Sequence, residues 1–591
     1  DFGANVKIFD PTMPIADIQA AVDAVKDEQV DNEMGTARYA LLFKPGTYGS
    51  ADAPLRFQVG YYTEVAGLGK DPTDVTINGS VNVYNRCLAA DNCIALDNFW
   101  RSLSNLSINV AGGEGCQTAT NFWAVSQAAP MRRVNMNGNL SLMDYCSAGP
   151  QYASGGFIAD SKTAGIVNGS QQQFLVRNST IGTWSNGVWN QVFAGVEGAP
   201  AENFGAEYID TDGNPAVGRY TTLPTTPASK ERPYLYLNPS KGYNRTDSWN
   251  VFVPRARTNS TGTTWAAGPT QGRTIPLSQF FLAKPSDSVS TINRQLASGK
   301  NLIFTPGVYN INRSIQINRP DTIVLGLGIT TLTAVNGAVP IKVGDVKGVD
   351  IAGIMIDAGT VNSPALLQIG NKHEHRTWRD RGHCSDPSDP TALQDVFFRI
   401  GGPHVGKATT SLVVNSDNVI LDDIWAWRAD HGVDGSVGWT INTAATGVVV
   451  HGDNVTATGL FVEHYQKYNV IWDGENGKTV FFQNELPYDA PDQQSWQHDG
   501  VLGWAAYKVA DSVKTHELWG GGSYIVFNVD KTLHVTRAFE VPYRPTVRFH
   551  SLLTVQLNTD NGTVDHIINN TGLSTTTSGV PSVWKEFPPA A

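Results

Sequence analysis

Two glutamates stand 22 residues apart: Glu463 in Phe461-Val-Glu-His-Tyr-Gln-Lys-Tyr468 and Glu485 in Phe481-Phe-Gln-Asn-Glu-Leu-Pro-Tyr488. A pair of carboxyl groups is what cleavage of a glycosidic bond needs, one to protonate the leaving oxygen and one to aim or activate water. The spacing is about one coil of a β-solenoid, where equivalent positions stack about 4.8 Å apart. Both side chains could then line one groove, although two solvated surface glutamates would show the same spacing. Trp425, Trp427, Trp439, Trp472, Tyr488, Trp496, Trp504 and Trp519 crowd the same stretch. Such rings stack on the C–H faces of sugars, while most of them are expected in the core.

Other constellations carry less. His373-Glu-His375 with His383-Cys384 has metal-ligating residue types, but its spacing fits no standard zinc pattern, so no metal is expected. Asp422-Asp423, Asp430-His431-Gly432 and Asn558-Thr-Asp560 resemble fragments of polygalacturonase motifs. Their order is wrong, and no Gly-His-Gly or Arg-Ile-Lys accompanies them. Gly67/Gly69 and Gly326/Gly328 precede no helical pattern, so they read as coil turns and not as dinucleotide loops. No cofactor is expected.

The elements that must position these groups are visible as an internal repeat. Leu42-Phe-Lys-Pro-Gly-Thr-Tyr48 matches Ile303-Phe-Thr-Pro-Gly-Val-Tyr309, and Val65-Ala-Gly-Leu-Gly69 matches Val324-Leu-Gly-Leu-Gly328. The offsets are 261 and 259 residues, so one duplication explains both. A helix-compatible segment precedes each copy: Ile18, Val22 and Val25 in the first, and Ile292, Leu296 and Leu302 in the second. Between these landmarks run short alternating strands bounded by Gly, Asn and Asp, such as Leu103–Val110, Phe174–Ile181, Val346–Ile356 and Asn418–Trp425. Their regular spacing suits a solenoid whose coils bury inward side chains against one another. The expected fold is all-β, two tandem right-handed parallel β-helix domains packed side by side. They would span 1–221 and 278–591, the second with a terminal cap and tail, around a Pro/Ser/Thr-rich connection at 222–277.

At 591 residues the chain exceeds one ordinary core, and 58 glycines with only 16% charged residues suit a β-rich protein with tight turns. The net charge of −11 disfavours nucleic acid, anionic membranes and a polyanionic substrate, but not a neutral polymer. Four of five cysteines cluster in the first half, consistent with Cys87–Cys93 and Cys116–Cys146 disulfides and a leftover Cys384. Sequons at Asn78, Asn105, Asn244, Asn259 and Asn454 permit glycosylation, although Asn and Ser also populate coil turns. No apolar leader precedes Asp1, as in a processed secreted chain, and an extracellular location is expected.

Over nearly its whole length the chain resembles glycoside hydrolase family 55, the β-1,3-glucanases with two β-helix domains. The phrases that carry the resemblance include Arg38–Tyr48, Phe122–Pro130, Ala153–Asp160, Gly406–Ser411, Trp427-Arg-Ala-Asp-His-Gly432, Phe461-Val-Glu-His464 and Gln483-Asn-Glu485. The resemblance implies an exo-acting enzyme that releases glucose from the non-reducing end of a β-1,3-glucan with inversion. It implies that Glu485 is the general acid, and that Glu463, Gln127 and Ser154 hold the water. As an acid, Glu485 would be kept protonated by the Glu463 carboxylate and aromatic walls. Trp427, Asp430, His431, Tyr488 and Trp504 are the candidate sugar contacts. A cleft between the two solenoids is expected, since Gln127 and Ser154 come from one repeat and the glutamates from the other. One tension stands: inverting carboxyl pairs usually lie about 6.5–9.5 Å apart, more than adjacent coils give. A glucan partner and a monomer are expected. The competing readings are a pectin-type β-helix lyase or hydrolase and a non-catalytic glycan-binding β-helix.

Overall fold

The computed structural model describes residues 1–185, 187–207, 218–372, 385–558 and 561–590. The His373, His375, His383 and Cys384 constellation, and Thr559-Asp560 of the Asn558 phrase, lie outside the described residues. From Val6–Phe9 to Tyr220–Leu223 the strands join one 15-stranded parallel set, apart from the antiparallel hairpin Arg86–Ala89 with Asn92–Ile94. A second solenoid follows, with a 12-stranded sheet from Phe280–Ala283 to Ser582–Phe587 and a 9-stranded sheet from Ile315–Ile317 to Thr563–Ile568. The ladders of these two sheets are parallel except for the last, where Ser582–Phe587 returns antiparallel along Val547–Gln556 and closes the sheet edge. Between the solenoids, Thr226–Ser229 pairs with Arg257–Ser260, and Tyr234–Leu237, Trp249–Pro254 and Gly272–Pro276 form a three-stranded antiparallel sheet.

The duplication reappears as matched hydrogen bonds. The Tyr48 hydroxyl donates to the carbonyls of Phe9 and Lys44 at 2.9 and 2.7 Å. The Tyr309 hydroxyl donates to those of Ala283 and Thr305 at 2.9 and 2.7 Å. In both copies the tyrosine satisfies the last carbonyl of the opening strand. A helix covers the start of each solenoid: Ile15–Gln29 buries Ile18, Val22 and Val25, and Val289–Ala297 buries Val289, Ile292 and Leu296. Ser288 caps the second by accepting from the Thr291 N–H. Leu302, expected in that helix, instead falls in the strand Asn301–Phe304, because Gly299 ends the helix with φ +98°.

The strands that matter most for the site read as almost continuous apolar runs. All ten residues of Val419–Arg428 and all eight of Thr456–Glu463 are buried. Such strands are covered on both faces, here by their own solenoid core and by the other solenoid. Each is bent once by a residue with positive φ: Asp395, Asp423, Gly459, Phe481 and Gly520 occupy the same place on successive coils. The ladder skips these residues, as in the step from Gln394↔Asp422 to Val396↔Ile424. Beyond the bend the alternation is fixed. Ile424, Ala426, Leu460, Val462 and Phe482 face the second core. Trp425, Trp427 and Phe461 face the seam with Tyr62, Trp100 and Phe157 of the first solenoid.

A dry ion network fixes the seam. Arg132 and Arg177 of the first solenoid donate to Asp422 of the second at 2.7 Å each, Arg132 also to Asp395, and Arg177 also to Glu231 of the connection. Arg399 pairs with Asp357 and donates to the Tyr62 hydroxyl across the seam. Removing one partner of such a pair leaves a buried charge, at about 3–5 kcal/mol. Disulfides join Cys87 to Cys93 and Cys116 to Cys146. Of the sequons, Asn105 is buried with its amide donating to Gly67 and Gly69 carbonyls, so it serves a turn and is closed to glycosylation.

Candidate active site

One column of side chains crosses the coils of the second solenoid at the seam. Arg399 registers with Trp427, Trp427 with Glu463, Glu463 with Glu485, and Glu485 with Tyr524. The two glutamates are therefore neighbours on adjacent rungs, with oxygens of their carboxyl groups within 4.8 Å of each other. Glu463 is buried, whereas Glu485 keeps part of its surface open. The Tyr488 hydroxyl donates to Glu485 Oε2 at 2.8 Å and fixes that carboxyl.

The first solenoid faces this column with an amide and a hydroxyl. Gln127 Nε2 donates both to Ser154 Oγ at 2.8 Å and to Glu463 Oε1 at 2.7 Å, a link across 336 residues of chain. Gln173 Nε2 donates to Ser154 Oγ at 2.9 Å. Ser154 opens the strand Ala153–Ala159, and its N–H is held by Ser126 Oγ at 2.9 Å. With two amide donors on its oxygen, the Ser154 hydroxyl keeps its own proton to donate.

A cavity of about 640 Å³ opens here, within the range of ligand sites. The first solenoid supplies Asp97, Phe99, Gln127, Tyr152, Ser154 and Trp189, and the second Trp427, Asp430, His431, Glu463, Glu485 and Tyr488. Among the described residues its lining holds no lysine or arginine. Burial, then the facing Glu485 and Asp430 charges, push the Glu463 carboxyl well above the usual range. At His431 burial opposes the cation, but hydrogen bonds to Asp430 (3.2 Å) and Glu33 (2.5 Å) raise its pKa to about 11. Glu33 belongs to the first solenoid, so this cation is a second strap across the seam. Asp97 is raised to about 6, chiefly by burial.

Glu463, His464 and Glu485, and separately Glu33, Asp97 and His431, lie close enough to share a cation. The donor chemistry does not suit one. Both His431 nitrogens are occupied by carboxylates, Glu463 Oε1 by the Gln127 amide and Glu485 Oε2 by the Tyr488 hydroxyl.

Of the residues singled out from sequence, Glu485, Glu463, Gln127, Ser154, Trp427, Asp430, His431 and Tyr488 line this one cavity. Trp504 does not. It leads into Tyr507–Val509 of the 9-stranded sheet, not of the sheet that forms the seam, and stacks on His498 at 3.6 Å beside Tyr468. Sequence reasoning missed Glu33, Asp97, Gln173 and His464. The first three sit in turns and strands without chemical spacing, while His464 was legible only as the neighbour of Glu463.

A family model described as the LAM55 pectate lyase-like domain matches residues 280–485. An exo-beta-1,3-glucanase of Streptomyces sp. (strain SirexAA-E / ActE) is 48% identical over 590 residues, 100% of this chain and 90% of that protein. The solved structure of Lam55A from Streptomyces sp. SirexAA-E matches with a TM-score of 0.89 at 48% identity, covering 100% of this chain and 99% of that one. A glutamate-to-alanine variant of the same enzyme, in complex with glucose, matches with a TM-score of 0.88 at 47% identity, covering 100% and 98%.

Proposed function

Because the chain belongs to glycoside hydrolase family 55, we propose that it is an exo-β-1,3-glucanase that releases glucose from the non-reducing end by a single inverting displacement at the seam cavity. The observation that carries the reading is the Gln127 amide, which ties Ser154 to Glu463 opposite Glu485. Glu485, the more open carboxyl, protonates the leaving oxygen, and Tyr488 aims it. Water sits against the first solenoid. It accepts the Ser154 proton and donates to the Gln127 carbonyl and to the Glu463 carboxylate, leaving its last lone pair for the anomeric carbon. The two carboxyls sit on adjacent rungs with oxygens within 4.8 Å, closer than the usual inverting pair. An off-axis water held by three groups resolves that tension, and the fixed amide–hydroxyl–carboxyl set holds it in line.

A cavity whose lining, among the described residues, holds no lysine or arginine, in a chain of net charge −11, suits a neutral glucan better than a polyuronate. Tyr152, which is exposed, and Trp189, which is half-buried, offer faces for sugar rings, while Trp427 and Phe99 are buried and only border the cavity. The glucose complex of the Streptomyces relative supports a glucose-sized terminal subsite. We further propose a secreted monomer, a location supported by the two disulfides. Proton NMR of laminarin digestion tests the reaction. Glucose appearing first as the α-anomer is expected; β-glucose would make Glu463 a nucleophile, and unsaturated uronides from pectate would replace the reading.

A further inference from the structure

An inverting displacement leaves its site with the wrong proton arrangement. Water has given a proton to the Glu463 side, and Glu485 has lost one to the leaving group. Before the next turnover Glu463 must lose a proton and Glu485 regain one, through solvent or by transfer from one carboxyl to the other. His464 lies between them. It is buried, with Nε2 at 3.2 Å from Glu485 Oε2 and 3.6 Å from Glu463 Oε2. Asp430 Oδ1 stands 3.7 Å from the same atom, and the Tyr488 ring packs edge-on at 4.4 Å. Nδ1 faces the Leu486 carbonyl at 3.1 Å, and an oxygen that only accepts fixes a proton on Nδ1. Only Nε2 is then free to exchange.

Resting on the inverting reading above, we propose that His464 resets the site by carrying the proton from Glu463 to Glu485 after each turnover. Nε2 accepts the proton from Glu463 Oε2 and releases it to Glu485 Oε2. The sum is protonated Glu463 plus ionised Glu485 giving ionised Glu463 plus protonated Glu485, with no external donor. A left-handed backbone at His464, φ +69°, is the local strain that turns its ring back between the two rungs.

The test is rapid-quench kinetics on laminarioligosaccharides with His464→Asn, which keeps a donor for the Leu486 carbonyl, and His464→Gln. The expected result is a first-turnover burst of about one glucose per site, then a steady rate roughly 10²-fold below wild type. Added imidazole should raise the second phase but not the burst. A first turnover slowed as much as the steady rate would reduce His464 to a positioning residue, and so would wild-type steady turnover. If neither variant folds, the wild type decides: a steady rate lowered in D2O with an unchanged first turnover supports the reset, and equal slowing of both overturns it. Absence of glucose from the wild type, or a β-anomer product, would instead remove the reading on which the proposal rests.

Discussion

Asp422 and Glu463 lie on neighbouring strands of one sheet, both buried against the first solenoid. Asp422 accepts from Arg132, Arg177 and Thr458; despite its burial the two guanidinium charges hold its carboxyl below the usual range. Glu463 is met by the neutral Gln127 amide and by the carboxylates of Glu485 and Asp430, and it is pushed the other way. The same sheet thus carries a carboxylate matched by two arginines, which locks the seam, and one that meets an amide, two carboxylates and the His464 ring instead.

The largest effect that would break this contrast is expected at Glu485. Glu485→Gln should fold with an unchanged thermal midpoint and lose roughly 10³-fold or more in kcat on laminarin. Turnover near wild type would remove the acid from the scheme. On the locked side, Arg177→Met should cost about 3–5 kcal/mol in denaturant unfolding, because Glu231 and Asp422 lose a buried partner. Its kcat, measured where it is folded, should change by less than about twofold, since packing away from the site is untouched. A large kcat loss in this variant would merge the two regions into one.

Gln127→Ala should lower kcat by about 10² with a small change in KM, because the water loses its holder and not the glucan. The carboxyls should also differ in the sign of their pH dependence. The folded pKa of Glu463 is raised, so its contribution to stability is lost as pH rises above the unfolded value of about 4.3. Asp422 is lowered, so its contribution is present above about 3.9 and lost as pH falls through the folded value. Glu463→Gln should therefore gain stability over wild type as pH rises from 4.5, by at most about 1.4 kcal/mol per unit. A gain that grows as pH falls would reverse the assignment. The smallest effect belongs to Trp504→Ala, which should leave laminarin kcat/KM within about twofold, since its ring lies outside the cavity.

How much of this was legible follows from which contacts are local. The Leu42–Tyr48 and Ile303–Tyr309 phrases reported the duplication because both copies need the same tyrosine bond to a strand-end carbonyl. The 22-residue interval reported Glu463 and Glu485 because one coil of this solenoid has that length. Gln127 and Ser154 followed only from family resemblance. No spacing rule announces a contact made 336 residues away. Trp504 was misassigned because sequence proximity to the glutamates does not say which sheet of a coil a residue joins. Asn105 carried a sequon that the fold spends on a turn. His464 gave no signal beyond its position, since its meaning lies in the gap between two rungs.

The central claim is that two solenoids share one water-holding unit across their seam. A double-mutant cycle between Gln127→Ala and Glu463→Gln, read in kcat/KM on laminarin, addresses it most directly. The double variant should be no slower than the slower single variant, because either change already dismantles the unit. Losses that multiply would show two independent groups and contradict it.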